Sequence, residues 1–340
     1  MGVLQKAWRL GRIFREYRGK AEVLRALPVR LWIESSSACN LRCVMCPNKT
    51  MPSAGRGLMD LALFQKIVDE ARGFVNDIYL HHRGEPLLNP ALFDMIRYAR
   101  AAGIGTRLHT NGTLLDAGRA GRMLAAGPDL VSFSVDGFEK AAYEAIRVGA
   151  NFEATVNNIV RFLEMRRAQK LRRPYVVVER INFREKPKGE TPARIRELRD
   201  RFLRAGLDEV IAKEEYVWAE ECAPEPADPC RMTRCTFPWY AMVICWDGTV
   251  TPCPQDFNAA MDMGSVRSSS LREVWNGPAY RDLRHRLSAD VGSLALCHKC
   301  DRLRRKTVGG VPLQYMATFL TDHLVGYNRF RKLLGTHERN

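Results

Sequence analysis

The sequence predicts an α/β fold: a parallel sheet, open or partly closed as a barrel, followed by a smaller C-terminal module. Three observations carry that prediction. Short apolar runs alternate with amphipathic helical stretches from residue 29 to about 216. The rhythm stops near residue 218, where a stretch rich in Pro and acid reads as a linker. Ten cysteines fall into two groups, three at 39–46 and seven at 222–300. Such grouping argues for metal binding before disulfides.

The chain opens, over 1–28, with Leu4, Trp8, Phe14 and Tyr17 set between Arg9, Arg12, Arg15 and Arg18. That is the pattern of a short basic amphipathic helix. Runs at 29–35, 77–82, 105–110, 130–135, 175–182 and 209–216 read as strands, and 60–74, 90–102, 116–126, 140–166 and 192–205 as helices. Six strand–helix repeats, within 29–218, imply a parallel sheet. Chemistry in that architecture gathers at the C-terminal ends of the strands. In the module at 219–301, runs at 240–246 and 249–253 joined by Asp247-Gly248 spell a hairpin. A helix is expected at 271–286, before Cys297-His-Lys-Cys300. The basic tail at 302–340 repeats Met316, Phe319, Leu320, Leu324, Tyr327, Phe330 and Leu334 at helical spacing.

Net charge is +15, of which residues 1–30 and 302–340 each carry +6. The middle is near neutral, unlike an evenly basic nucleic-acid binder, and no nucleic-acid motif is present. A chain of 340 residues that is 46% hydrophobic can bury a full core. Disorder and a disulfide-stapled mini-protein are both excluded. Lys6, Arg9, Arg12 and Arg15 interrupt any secretory h-region, and no apolar run is long enough to span a bilayer. The expected compartment is a reducing cytoplasm. The basic ends have two readings: packing on their own domain, or docking to the inner face of an anionic membrane. In the second, each Lys or Arg contributes ~1 kcal/mol.

Cys39-x3-Cys43-x2-Cys46 lies just past the first predicted strand. Three thiolates at this spacing can hold three corners of a four-iron cluster and leave one iron open; the alternative is a zinc site lacking its fourth ligand. With this motif the chain resembles the radical S-adenosylmethionine (SAM) superfamily, which implies a partial (β/α)6 barrel. Met45 stands where that family often has an aromatic residue against the adenine. Further marks follow in order, each at a predicted strand end. Arg83-Gly84-Glu85-Pro86 resembles the turn that binds the methionine ammonium, with Arg83 in place of a glycine. Glu85 would accept from the ammonium, and Gly84 would let backbone approach the ligand. Thr110-Asn111-Gly112 and Ser134-Val-Asp136-Gly137 come next. The resemblance implies ribose contacts from Ser134 and Asp136, and a cation, Arg147, for the SAM carboxylate.

Cys235, Cys253, Cys297 and Cys300 frame the hairpin and following helix, and spacing alone fits zinc or an iron–sulfur cluster equally. Together with Pro238-Trp239, Asp247-Gly248, Gly264 and Trp275-Asn276-Gly277, they resemble the SPASM/twitch extensions of radical SAM enzymes. No cysteine follows Cys300, so the likeness is to the form with one auxiliary four-iron (4Fe–4S) cluster. Cys230 competes with Cys235 as first ligand. Cys222 has no assigned role; Cys245, a catalytic candidate alongside Glu179 and Arg180, reads either as a small buried hydrophobe or as a thiol that returns a hydrogen atom to a substrate radical.

The resemblance implies that an electron from a flavodoxin- or ferredoxin-type donor reaches the first cluster and cleaves SAM. The resulting 5′-deoxyadenosyl radical abstracts hydrogen from a substrate. His82, His109, Glu179, Arg180 and Asn182 fall near strand ends that face the cavity, with Glu179 and Arg180 the leading catalytic candidates. Such polar walls suit a hydroxylated small molecule (a sugar, an aminocyclitol or a lipid-linked sugar) undergoing oxidation or epimerisation. The alternative is modification of a ribosomally made peptide, against which only about 28 residues precede the first strand.

Overall fold

The computed structural model describes residues 3–183, 190–215, 218, 232–300, 303, 307–308 and 311–312. The expected C-terminal helix, Cys222 and Cys230 lie outside them. Six strands run parallel and neighbour one another in chain order: β1 (Arg30–Ile33), β2 (Asp77–Tyr79), β3 (Gly105–Thr110), β4 (Leu130–Ser134), β5 (Tyr175–Asn182) and β6 (Glu209–Glu214). The run expected at 29–35 stops at Ile33. Beyond it, buried Ser35, Ser36 and Ser37 donate their hydroxyls to the carbonyls of Leu80, Ala38 and Gly55. Polar residues that bond sideways end a ladder.

Helices α1 (Val3–Arg18), α2 (Leu61–Ala71), α3 (Leu92–Ala101), α4 (Ala117–Ala126), α5 (Lys140–Ile146), α6 (Phe152–Ala168) and α7 (Pro192–Ala205) accompany the strands. Asp60, Asp116 and Thr191 cap α2, α4 and α7 by accepting a backbone N–H. The single helix expected over 140–166 is two. Gly149, at φ 95°, turns the chain, and Asn151 caps the restart at α6. That break places Arg147.

The C-terminal module holds α8 (Phe237–Tyr240), β7 (Ala241–Ile244), β8 (Val250–Thr251), α9 (Leu271–Trp275) and α10 (Pro278–Ala289). The helix expected at 271–286 is likewise broken, at Asn276-Gly277, because Pro278 suits only a first helical turn. Asp247-Gly248 makes the expected turn, with Gly248 at φ 93°. β7 pairs in parallel with β1, and β8 pairs antiparallel with β7. The sheet order is therefore β6-β5-β4-β3-β2-β1-β7-β8. Leu31, Ile33, Met242 and Ile244 are fully buried where the two parts join.

The stripe of α1 that packs is not the one its largest side chains mark. Leu10, Ile13 and Tyr17 are buried, whereas Leu4, Trp8 and Phe14 are 87, 55 and 47% exposed. Tyr17 meets Trp239 edge to face at 5.4 Å and donates to the Arg234 carbonyl at 2.8 Å. The helix thus lies on the C-terminal module. Among the described residues no helix is long and apolar enough to cross a membrane.

Candidate active site

The inner face of the sheet follows from strand alternation: side chains two apart share a face, and parallel partners point the same way. Phe133 meets Phe162 of α6, so odd residues of β4 face the helices and even ones face inward. Register then places Arg107, His109, Ser132, Ser134 and Glu179 on the inner face. At the strand starts Arg30 and Arg107 bracket Asp77, the first at 2.5 Å. Trp32 and Tyr79 stack above it at 4.5 Å. Higher up, the His81 and His109 rings lie 4.1 Å apart, and the His109 N–H donates to His81 Nδ1. His109 Nδ1 is 3.6 Å from Glu179 Oε2, and Lys213 pairs with the same carboxylate oxygen. Burial, aided by the Lys213 and Arg107 cations, lowers His109 to about 3. Burial also holds His81 well below its usual range. Both imidazoles are neutral at neutral pH.

Of the expected substrate-facing residues, His109 and Glu179 come together. Arg180 and Asn182 share the opposite face of β5, and Arg180 pairs with Glu190 at 3.1 Å and lies over Phe138. His82 is separate too, next to Phe257, with Nε2 buried and unpaired. His81 and Lys213 were missed. The odd-numbered register of Tyr79, His81, Arg107 and His109 is the signal that finds His81.

The Cys39–Cys46 loop leaves β1 at the C-terminal edge of the sheet. Arg42 and Val44 donate to the carbonyls of Val148 and Ile146, which seats Cys43 against the α5–α6 break. Arg147 Nη1 stands 4.0 Å from Cys43 Sγ. Its guanidinium also pairs with Asp136, whose other oxygen accepts from Ile181 N at 2.9 Å. Burial opposes the Arg147 charge, but Asp136 and then Cys43 outweigh it and hold it above its ordinary value. Asp136 and Arg147, expected to serve ribose and carboxylate separately, are thus partners of one another. Arg147 Nε is buried and unpaired.

Asn48 straps the loop to the turn after β2, donating to Ser37 O at 2.7 Å and Arg83 O at 2.8 Å. Gly84 is needed for packing: a Cβ there would lie 2.4 Å from Ala38 O and 2.5 Å from Ser36 O. Glu85 is 2% exposed and accepts from Thr110 Oγ1, Leu87 N and Asn111 N, at 2.6, 3.0 and 2.8 Å. Burial raises its pKa against those bonds. Asn111 donates to Asn40 of the cysteine loop at 3.0 Å. Met45 and Ser134 are half-buried. A cavity of about 440 Å³ opens beside Cys39.

Arg83 and Glu34 form a buried ion pair, with contacts at 2.7 and 2.6 Å. Glu34 also accepts from Trp246 N, and Arg83 donates to Phe257 O, so the pair joins the turn after β2 to the hairpin. Cys245, 1% exposed just past β7, lies among Glu34, Arg83, Asp247 and Asp256.

Burial is the main cause that raises the thiols of both groups, Cys39 to about 11. Cys39 also feels Cys43 and Cys46. Cys253 feels Cys235 and Cys300, and Cys297 feels Cys253 and Cys300. Buried thiols that neighbour one another call for a bound cation to become thiolates. Among the described residues no three His, Cys, Asp or Glu side chains close on one ion-sized point. Three neighbouring thiols, and four in the second group, are a donor set for an iron–sulfur cluster or zinc. Asp256, fully buried, accepts from Thr251 Oγ1, Ala260 N and Met261 N, and so fixes the loop after Cys253.

Comparison with known proteins agrees with this donor set. A model of the radical SAM superfamily matches residues 33–186, and one of an iron–sulfur cluster-binding domain, SPASM, matches 235–301. The chain is 26% identical over 296 residues to the tungsten-containing aldehyde ferredoxin oxidoreductase cofactor-modifying protein of Pyrococcus furiosus, covering 74% of this chain and 81% of that one. It is 32% identical over 127 residues to an AdoMet-dependent heme synthase of Methanosarcina barkeri, covering 37% of this chain but only 36% of that one. BtrN in complex with AdoMet and 2-DOIA shares the fold, with a TM-score of 0.53 at 20% identity over 81% of this chain and 93% of that one. So does SuiB of Streptococcus suis bound to S-adenosylmethionine, with 0.61 at 15% identity over 86 and 75%. The radical SAM domain brings SAM and a four-iron cluster, and the SPASM domain brings auxiliary iron–sulfur. Three loop thiols at one end of a parallel sheet, and four more in a module built onto it, thus have a family: the chain belongs to the radical SAM superfamily and carries a C-terminal SPASM domain.

Proposed function

We propose that this chain removes a hydrogen atom from a polar, hydroxyl-bearing small molecule held at the mouth of the barrel, as the first step of an oxidation. The observation that carries this reading is the inner wall of neutral His81 and His109 beside the Glu179–Lys213 pair. In this reading Cys39, Cys43 and Cys46 hold the SAM-binding cluster. Met45, Gly84, Glu85, Asn111, Ser134, Asp136 and Arg147 surround SAM, and Cys235, Cys253, Cys297 and Cys300 hold the auxiliary cluster. When bound, these groups supply one-electron chemistry: reductive cleavage of SAM and an electron acceptor for the substrate. A flavodoxin- or ferredoxin-type donor supplies the incoming electron.

The chain's own residues manage position and protons. Oxidation of an alcohol carbon removes a hydrogen atom, an electron and a proton. His109 stays neutral, so it accepts a hydrogen bond from the substrate hydroxyl and positions it, and the Glu179 carboxylate beside it takes the proton. Epimerisation would instead require a thiol to return a hydrogen atom. Cys245 sits sealed against Glu34 and Arg83, which favours oxidation. The relative from Pyrococcus furiosus is a cofactor-modifying protein, and a cofactor precursor is within the same size class.

The test is anaerobic release of 5′-deoxyadenosine with a panel of polyols, aminosugars and cofactor precursors. A matching substrate should raise release above the substrate-free rate. His109→Asn should then lower product formation about a hundredfold while SAM cleavage without substrate persists. Stimulation by peptides alone would overturn the reading in favour of peptide modification.

A further inference from the structure

The edge of the sheet opposite the cysteine loop carries a second concentration of chemistry. Ala26 and Leu27 precede β1, and Arg72 to Phe74 precede β2, so both segments lie at the N-terminal ends of the strands. Together with α1 and α9 they line a cavity of about 330 Å³. Five arginines are among its lining residues, Arg9, Arg12, Arg25, Arg72 and Arg272, together with Trp8.

Among the described residues only Arg72 of the five has a carboxylate partner, Asp69 at 3.3 Å. Glu16 is close by, but it accepts from the backbone N–H groups of Arg25 and Ala26 and so shapes the wall. Arg9 donates one nitrogen to the Gly73 carbonyl, and its other terminal nitrogen is buried with no partner. Arg12 stacks on Trp8 at 4.2 Å, which holds that guanidinium in place. Burial already works against the Arg9 charge. Arg9 and Arg12 are half-buried while Arg25, Arg72 and Arg272 are exposed at the rim, so like charges converge on one opening and an anion there would relieve their repulsion.

We propose that this cavity binds a phosphoryl group, as a phosphate mono- or diester, remote from the cluster and independent of the radical chemistry. Planar, forked guanidiniums match phosphate oxygens two at a time, and several can share one phosphate. The Trp8 ring gives the body of the ester an apolar wall. Exposed Leu4 and Phe14 flank the same helix, so the phosphate comes either from the headgroup of an anionic lipid or from a soluble ester.

The experiment uses the metal-loaded full chain and two probes. Pyrophosphate is titrated by calorimetry, and vesicles of phosphatidylglycerol in phosphatidylcholine are tested by co-sedimentation. Replacing Arg12, Arg25 and Arg272 together with Gln should weaken the bound probe about a hundredfold. Replacing Arg15, Arg18 and Lys20, exposed charges outside the cavity, should change it by no more than about twofold. Arg272→Glu alone, on the exposed side of α9, should cost about tenfold and serves if the triple variant does not fold. Binding of vesicles but not pyrophosphate identifies a lipid source; the reverse identifies a soluble one. Failure to bind either probe, or equal losses in the two triple variants, overturns the proposal.

Discussion

The two thiol sets differ in how the chain delivers them. Cys39, Cys43 and Cys46 come from a single loop, strapped by Asn48 and by backbone bonds to residues 146 and 148. Cys235, Cys253, Cys297 and Cys300 come from three places: before α8, after β8, and, as a pair, after α10. A guanidinium stands 4.0 Å from Cys43 in the first set, whereas in the second the thiols feel chiefly one another and Asp256, with Arg286 acting more weakly on Cys297. The first set is shaped by the protein and partly neutralised by it. The second set joins three distant segments, held also by Asp256 and by the Thr233–Leu303 bonds, so metal there crosses more of the fold and is also structural.

That contrast is broken most directly by removing one thiol from each. Cys43→Ala should abolish reductive SAM cleavage, read as 5′-deoxyadenosine under dithionite, while the fold survives. Cys253→Ala should keep measurable cleavage but lose the auxiliary cluster. Its iron should fall from about eight to about four per chain, and its thermal midpoint should drop further than that of Cys43→Ala. Equal midpoints would mean that both sites are equally prefabricated.

The cation at the first site gives the next effect. Arg147→Met leaves Asp136 buried and uncompensated, at a cost of about 3–5 kcal/mol in urea unfolding. Arg147→Lys should recover part of it. A cost below about 1 kcal/mol would show that Asp136 finds other partners.

The smallest effect concerns the neutral imidazoles between the two sites. His82 is lowered to about 4 and His109 to about 3, chiefly by burial. The unfolded chain binds their protons near pH 6.5, so stability falls as pH drops below that value and continues to fall toward those folded-state values. From about pH 7.5 to about 5.5 each imidazole should cost about 1 kcal/mol, and His82→Asn should flatten the slope by that amount. An unchanged slope would mean that His82 charges freely in the fold.

Local pattern carried most of the architecture because periodicity and loop spacing are local properties. The cysteine loop, the Gly84-Glu85 turn and the Asp247-Gly248 hairpin are each a few residues long, and the sequence alone separates them. Pairings across the chain are not local. Nothing near Ala241 announces that β7 will lie against β1. Tyr17 was shared by both apolar stripes of α1, and side-chain size favoured the stripe that stays exposed. Arg83 read as a departure from a glycine, yet its partner Glu34 stands 49 residues earlier. The break at Arg147 was legible in Gly149 and Asn151, and the amphipathic pattern on either side masked it.

The pairing of β7 with β1 has a further consequence for how the chain can be divided. A cut in the acidic linker looks harmless along the sequence, but in space it peels the last two strands, β7 and β8, from one end of an eight-stranded sheet. A fragment ending near residue 218 would present the open edge of β1, with Leu31 and Ile33 beneath it, to any other strand in solution. Glu34 would lose the Trp246 N–H in the same cut. The second half of this protein is therefore the wall on which the first half closes, and the two were never separable parts.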